Sequence, residues 1–333
     1  MRTFKVNDLK TFEQLAKLNQ ASMQKVLSKF LKKYYTKVVE TKEYIFAEGT
    51  IPIALVAHMD TVFKLPPEEI YFDNRKNVMW SPDGLGADDR AGIFAILKIL
   101  QSGLHPHIIF TTDEEVGARG AYKLATINCP FKDCRYIIEL DRRGANDCVF
   151  YDCENPEFTA YVEQFGFEED FGTFSDISVL CPAWGIAGVN LSIGYRDEHT
   201  ACEILNVNHM LATIEKVKKM LTVQDIPFFK YIPNPYPYAS LWGLGASMTH
   251  GNDVLKCAFC GKYHMEEELF PIVMQDSTTK YCCPECISEE VAWCTNCYSG
   301  YEKLSPEAPI AGLCPHCVNK EKKNDTKRDS RAL

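Results

Sequence analysis

IPIALVAH, residues 51–58, is an apolar run that closes on a histidine. Apolar residues without polar alternation read as a strand buried on both faces, as in a parallel sheet covered by helices. The run leaves His58 at the strand's C-terminal end. Downstream, residues 87–100 read as a helix with Ile93, Ile96, Leu97 and Leu100 on one face, and residues 107–111 as the next buried strand. The alternation continues with a helix near 118–125, a strand at 136–140, a helix near 157–165, a strand at 188–192 and an amphipathic helix over about 208–221. Upstream, residues 7–33 have helical spacing, as one broken helix or two short ones, and residues 35–46 alternate like strands. Strands alternating with helices predict an α/β fold, a mostly parallel sheet sandwiched by helices. In such sheets, sites form beyond the carboxyl ends of the strands.

The chain has 333 residues, 46% of them hydrophobic, enough for one medium domain plus a smaller unit. The organisation expected is a catalytic domain over 1–225, a proline- and aromatic-rich strap over 226–255, a cysteine module over 256–318 and a disordered polar tail over 319–333. A net charge of −9 spread along the chain gives no argument for nucleic acid as a partner. No stretch approaches the roughly 18 apolar residues of a membrane span, and no apolar run follows the first basic residues, so a cytoplasmic location is expected.

Residues able to hold two metal ions follow successive strands: His58 in AHMD, Asp88 in GADD, Glu115 in DEE, Asp141 in ELD and His199 in DEHT. Asp60, two residues after His58, can orient that imidazole from behind. Asp88 and Asp89 open a helix after the glycines of GLGA, and a carboxylate there can bridge two cations, although an aspartate opening a helix is equally suited to capping it. Of the adjacent Glu114 and Glu115, one can bind metal while the other handles a proton. Each of these residues alone is more often structural; five at five successive sheet edges would be an unusual coincidence.

AHMDTV, GLGADDRAG, FTTDEEVGARGA, IELDRRG and IGYRDEHTACEILNV resemble, in order, the successive motifs of the co-catalytic dinuclear zinc peptidases, which include tripeptidase T-like enzymes and zinc aminopeptidases. The resemblance spans about residues 51–221. It implies one zinc held by His58, Asp88 and Asp141 and another by Asp88, Glu115 and His199, with Asp88 shared. It further implies Glu114 as general base, Asp60 as the partner of His58, and a cis peptide between Asp88 and Asp89. Two cations sharing a water lower its pKa from 15.7 towards roughly 7, and the metals would stabilise the oxyanion. Many members insert a lid between the last two motifs; here only 57 residues intervene, so no lid domain is expected. That favours an aminopeptidase with an open cleft. An amidohydrolase or deacylase on small amides, or a zinc-stabilised binding protein without turnover, are the alternatives. Arg142 and Arg143 either form salt bridges or hold a substrate carboxylate, and Arg90, where lysine is common in some relatives, reads as structural.

Nine of the fifteen cysteines fall between Cys257 and Cys317. Cys257 and Cys260, Cys283 and Cys286, Cys294 and Cys297, and Cys314 and Cys317 form four CxxC pairs, which suit two tetrahedral zinc sites. The pairing is open, and so is the choice between Cys282 and Cys283. Acidic residues outnumber basic ones nine to four over 256–318, which disfavours a phosphate backbone and leaves a protein partner, substrate gating or stabilisation as the module's role. Four zinc ions are thus expected, two catalytic and two structural, with a peptide or small amide as substrate.

Overall fold

The apolar run 51–58 becomes a central strand of an eight-stranded sheet in a computed structural model that describes residues 5–234, 254–265, 269–274, 279–294 and 300–302. The chain divides into two compact units, residues 1–247 and 248–333. The first begins with α1 (Val6–Ala16), α2 (Gln20–Leu31), β1 (Val38–Glu40), β2 (Tyr44–Ala47), β3 (Ile51–His58), β4 (Tyr71–Asp73), β5 (Val78–Trp80) and α3 (Ala87–Gln101). It continues with β6 (Pro106–Thr111), α4 (Arg119–Ala125), β7 (Tyr136–Arg142), β8 (Asp147–Val149), α5 (Pro156–Glu163), β9 (Glu168–Glu169), α6 (Asp176–Trp184), β10 (Gly188–Ser192), β11 (Tyr195–Arg196), β12 (Ile204–Asn206) and α7 (Val207–Leu221).

The strand order is β1-β2-β6-β3-β7-β10-β8-β9, and β6, β3, β7 and β10 run parallel, with antiparallel pairs towards the edges. This is the α/β, mostly parallel sheet that the sequence predicts. Ile53, Leu55 and Ala57 of β3 join one core cluster with Phe94 of α3 and Ile214 of α7, while Ala54 and Val56 join a second with Leu124 of α4 and Leu180 of α6. Both faces of one strand are therefore buried, which accounts for the missing polar alternation. Helix α3 comes so near β7 that a Cβ at Gly92 would lie 2.3 Å from the carbonyl oxygen of Leu140.

Two features escape the periodicity reading. Helix α6 carries Pro182 in its last turn, which reads as a breaker because it lacks the N–H that would bond to the carbonyl of Ser178. Strands β4, β5, β11 and β12, two or three residues each, form a second, antiparallel sheet too short to show a period. Residues 226–234 run along the first unit: Phe229 is buried against Tyr136, Phe158 and Tyr161, and its backbone bonds to Arg135 and Ala187.

The second unit has a hairpin of β13 (Val254–Lys256) and β14 (Tyr263–Met265) and a four-stranded sheet in the order β16-β15-β18-β17. These strands are β15 (Phe270–Val273), β16 (Thr279–Cys282), β17 (Val291–Trp293) and β18 (Gly300–Glu302), with α8 (Pro284–Glu290) after β16. Residues 235–253 of the strap, the tail over 319–333, and Cys297, Cys314 and Cys317 lie outside the described residues, while positions 254 and 255 of the strap fall in β13. Among the described residues no helix is long and apolar enough to cross a membrane.

Candidate metal centre

Parallel strands put their carboxyl ends on one edge of the sheet, and the residues singled out from the sequence meet there. β3 ends in His58, which pairs in register with Thr111, the last residue of β6. Glu114 and Glu115 follow Thr111, β7 carries Asp141, and the chain after β10 delivers His199. His58 is fully buried. Its Nε2 lies 2.9 Å from Asp88 Oδ1 and 3.5 Å from Asp141 Oδ1, and its Nδ1 lies 3.2 Å from Asp60 Oδ1. His199, at φ +64°, brings Nε2 to 3.2 Å from Asp88 Oδ2 and 3.0 Å from Glu115 Oε2. Asp88 thus offers one oxygen to each histidine.

Nitrogen and oxygen atoms of His58, Asp88 and Asp141 lie within 4.8 Å of one another, as do those of Asp88, Glu115 and His199. His58, Glu114 and Glu115 also meet that distance, so proximity by itself does not divide the roles of the two glutamates. Their surroundings differ. Glu115 contacts His199, and its Oε1 is buried without a hydrogen-bond partner among the described residues. Asp60 ties the two halves together: besides His58, it accepts the N–H groups of Glu114 and Glu115, both at 3.0 Å. With Nδ1–H donated to Asp60, His58 presents the lone pair of Nε2 to the cluster.

The cluster favours positive charge. Burial pushes Glu114 and Glu115 above the usual carboxyl range and Asp141 up to about 8. Burial would raise Asp88 too, but hydrogen bonds with His199 and His58 hold it below that range. Those with Asp88 and Glu115 lift His199 to about 10, and His58 rises despite its burial because Asp141, Asp60 and Asp88 surround it. Protons and divalent cations compete for such donors. The set of two imidazoles and three carboxylates, with an orphaned Glu115 oxygen, suits zinc.

Of the supporting residues, the sequence reading missed Glu203, Tyr195 and Asn190, whereas Asp89, Arg90, Arg142 and Arg143 were named in it. Of the two aspartates at the helix start, Asp89 performs the capping: Oδ1 accepts Gly92 N–H at 2.8 Å and Oδ2 accepts His58 N–H at 3.3 Å. The φ/ψ angles of Asp88 and Asp89 are not helical, and the peptide between them is cis. Glu203, fully buried, accepts the N–H groups of Ala87 and Asp88 at 3.1 Å each. Tyr195 donates its hydroxyl to Asp141 Oδ1 at 2.9 Å, and Asn190 brackets the Asp141 backbone through both its N–H and C=O. Buried Arg90 donates to the carbonyls of Met59, Asp60 and Leu18. Arg142 donates to Asp170 and Arg143 to Glu198, so both arginines after Asp141 are partnered by carboxylates.

In the second unit Cys257, Cys260, Cys283 and Cys286 place their sulfur atoms within 4.8 Å of one another. The first two pairs in sequence therefore come together, with Cys283 rather than Cys282 in the cluster. Cys257 follows β13, and the turn is closed by Gly261 N–H to its carbonyl. Burial would raise its thiol, yet N–H groups of Cys283, Cys260 and Phe259 aimed at the sulfur draw it down to about 6, whereas burial pushes Cys282 up to about 12. Four sulfurs with N–H groups directed at one of them form a donor set that fits zinc.

No protein-family model and no curated protein sequence matches the chain. Solved structures do. A tripeptidase from Staphylococcus aureus is similar with a TM-score of 0.53 and 15% identity, over 64% of this chain and 96% of that one. The TET aminopeptidase of the marine sediment archaeon Thaumarchaeota archaeon SCGC AB-539-E09 gives 0.52 and 14%, over 66% and 98%. Aminopeptidase PepT from Bacillus cereus gives 0.51 and 17%, over 63% and 96%. The protein thus has a fold shared with these peptidases.

Proposed function

We propose that the first unit is a dinuclear zinc peptidase of the aminopeptidase type, with His58, Asp88 and Asp141 holding one ion and Asp88, Glu115 and His199 the other. The observation that carries this reading is the placement of the two Asp88 oxygens, one at 2.9 Å from His58 and one at 3.2 Å from His199. Bound zinc would lower the pKa of water towards roughly 7 and stabilise charge on the carbonyl oxygen. Glu114 takes the proton of the attacking water and returns it to the leaving amine. Asp60 fixes the ring of His58 and, through the N–H groups of Glu114 and Glu115, the height of that loop. Similarity to structures described as aminopeptidases and a tripeptidase supports peptides as substrates. The partnered Arg142 and Arg143 and the lack of an inserted lid between Asp141 and His199 support attack from the amino end. The second unit would hold zinc through Cys257, Cys260, Cys283 and Cys286, and a further ion through Cys294, Cys297, Cys314 and Cys317.

Metal analysis paired with free and N-blocked short peptides tests the proposal. About four zinc ions per chain are expected, together with hydrolysis that N-terminal blocking abolishes. Cleavage indifferent to blocking would reject the aminopeptidase assignment, and about two ions per chain would leave one of the two units without its metal.

A further inference from the structure

Beside the metal centre lies a cavity of about 470 Å³, within the roughly 300–1,000 Å³ of small-molecule sites. Glu115 belongs to both, and Asp60, which holds His58 from behind, also lines the cavity, so the cavity adjoins the cluster. Its walls come from the turn between α1 and α2, the segment 60–67 and the segment 113–116. Three large apolar side chains there face solvent: Val62 is 40%, Leu65 78% and Val116 50% exposed. Leu18, Phe63 and Leu85 continue the apolar lining inward. Exposed apolar side chains gathered around one concavity mark a binding site rather than ordinary surface.

Three of the cavity's five charged side chains are engaged within the fold. Asp60 is taken by His58 and by the N–H groups of Glu114 and Glu115, Asp113 accepts from Gln20 Nε2 at 2.9 Å, and the Nη groups of Arg90 bond to backbone carbonyls. Apart from Lys64 and Glu115, the lining left to an occupant is mainly apolar, from Leu18, Val62, Phe63, Leu65, Leu85 and Val116. The wall is also fixed in place. Gly84 and Gly86, at φ +87° and +65°, lie under the ring of Phe63, and a Cβ at Gly84 would stand 2.1 Å from it. Residues of the Asp113 loop are held to α2 by the paired Gln20–Asp113 contacts.

We propose that this cavity receives a bulky apolar side chain of the substrate, of leucine or phenylalanine type, at a residue flanking the bond that is cut. The inference rests on the peptidase reading for the chemistry, but not for the binding. The side chain packs between Val62 and Leu65 on one wall and Val116 on the other, and its burial next to Asp60 and Glu115 draws the adjoining peptide group to the metal centre.

The test uses the full-length, zinc-loaded protein and peptides X-Gly-Gly and Gly-X-Gly, with X as Ala, Leu, Phe, Lys or Glu. At one of the two positions kcat/KM for Leu or Phe should exceed that for Ala by at least about tenfold. Leu65→Asp and Val116→Asp, at exposed positions that tolerate a polar side chain, should bring that ratio close to one. Calorimetric binding of the same peptides to Glu114→Gln gives a readout independent of turnover. Hydrolysis with no preference, or with a preference for Lys or Glu, overturns the pocket and leaves the peptidase reading standing. No hydrolysis, with Leu and Phe peptides still bound at least about tenfold more tightly than Ala, overturns the peptidase reading and supports the pocket. Binding that does not discriminate among side chains overturns the pocket in either case.

Discussion

Glu114 and Glu115 are neighbours in the chain with different surroundings. Glu115 meets His199 at 3.0 Å and keeps one buried oxygen without a partner among the described residues, whereas Glu114 is held by burial above its usual range close to His58. If Glu114 moves protons and Glu115 binds metal, Glu114→Gln should lower kcat by about 10²–10⁴-fold with zinc content retained, and Glu115→Gln should lower zinc content itself. Elemental analysis of both variants beside their rates separates the roles; normal turnover by Glu114→Gln would falsify the assignment. The residues with distinctive chemistry and spacing, His58, Asp88, Asp141 and His199, were legible in the sequence. The capping by Asp89 was legible too, as an aspartate at a helix start, but Glu203 was not: it reaches the N–H groups of Ala87 and Asp88 from more than a hundred residues away, a contact with no sequence signature.

Helix α3 begins at a point held from three sides. Glu203 accepts its first N–H groups, Asp89 accepts Gly92 N–H, and Gly92 lets the helix approach Leu140. Glu203→Ala would leave the N–H groups of Ala87 and Asp88 buried without acceptors, a cost of about 1–3 kcal/mol. It should also weaken zinc binding by about 10–100-fold through loss of Asp88's orientation, measured by competition with a chelator; unchanged affinity would remove Glu203 from the site. Gly92→Ala, with a Cβ 2.3 Å from Leu140 O, should lower stability by about 1–3 kcal/mol in urea denaturation. Strand β6 carries a pH-sensitive contact. His107 accepts Gly49 N–H on Nδ1 at 3.0 Å and meets Asp133 through Nε2 at 3.0 Å. Burial lowers its pKa below the ordinary 6.5, and Asp133 only partly offsets this. The unfolded chain then takes up the proton first as pH falls, so the contribution is full above about 6.5 and is lost below it, towards the folded value. The urea midpoint should fall between about pH 7.5 and 5.5, and fall less in His107→Asn; equal slopes would exclude His107. The long buried strands and amphipathic helices behind these contacts were readable because burial on one or both faces leaves a period. Helix α6, with its proline, and the two- and three-residue strands are set by tertiary partners and leave none.

At the scale of the whole molecule the two units rely on different sources of stability. The first has extensive apolar clusters on both faces of its main sheet. The core cluster described for the second comprises Cys257, Leu269, Ile272, Cys282, Cys283 and Val291, half of them cysteines. Such a core offers little hydrophobic stabilisation, and a structural zinc can contribute about 10–16 kcal/mol of apparent binding energy to folding. The two adjacent cysteines discriminate between metal and packing. Cys283 lies in the four-sulfur cluster with Cys257, Cys260 and Cys286 and its sulfur is 3.8 Å from that of Cys260, whereas Cys282 is fully buried and lies outside that cluster. Cys283→Ser should therefore lower zinc content by about one ion per chain and open the second unit to proteolysis. Cys282→Ser should keep the metal and cost only the packing of a small buried side chain. Mass spectrometry of the intact protein, with limited proteolysis mapped to residues 254–302, reads both effects. Equal zinc loss in the two variants would show that the cluster depends on the packing of this segment as a whole, and zinc retained in Cys283→Ser would remove that residue from the centre.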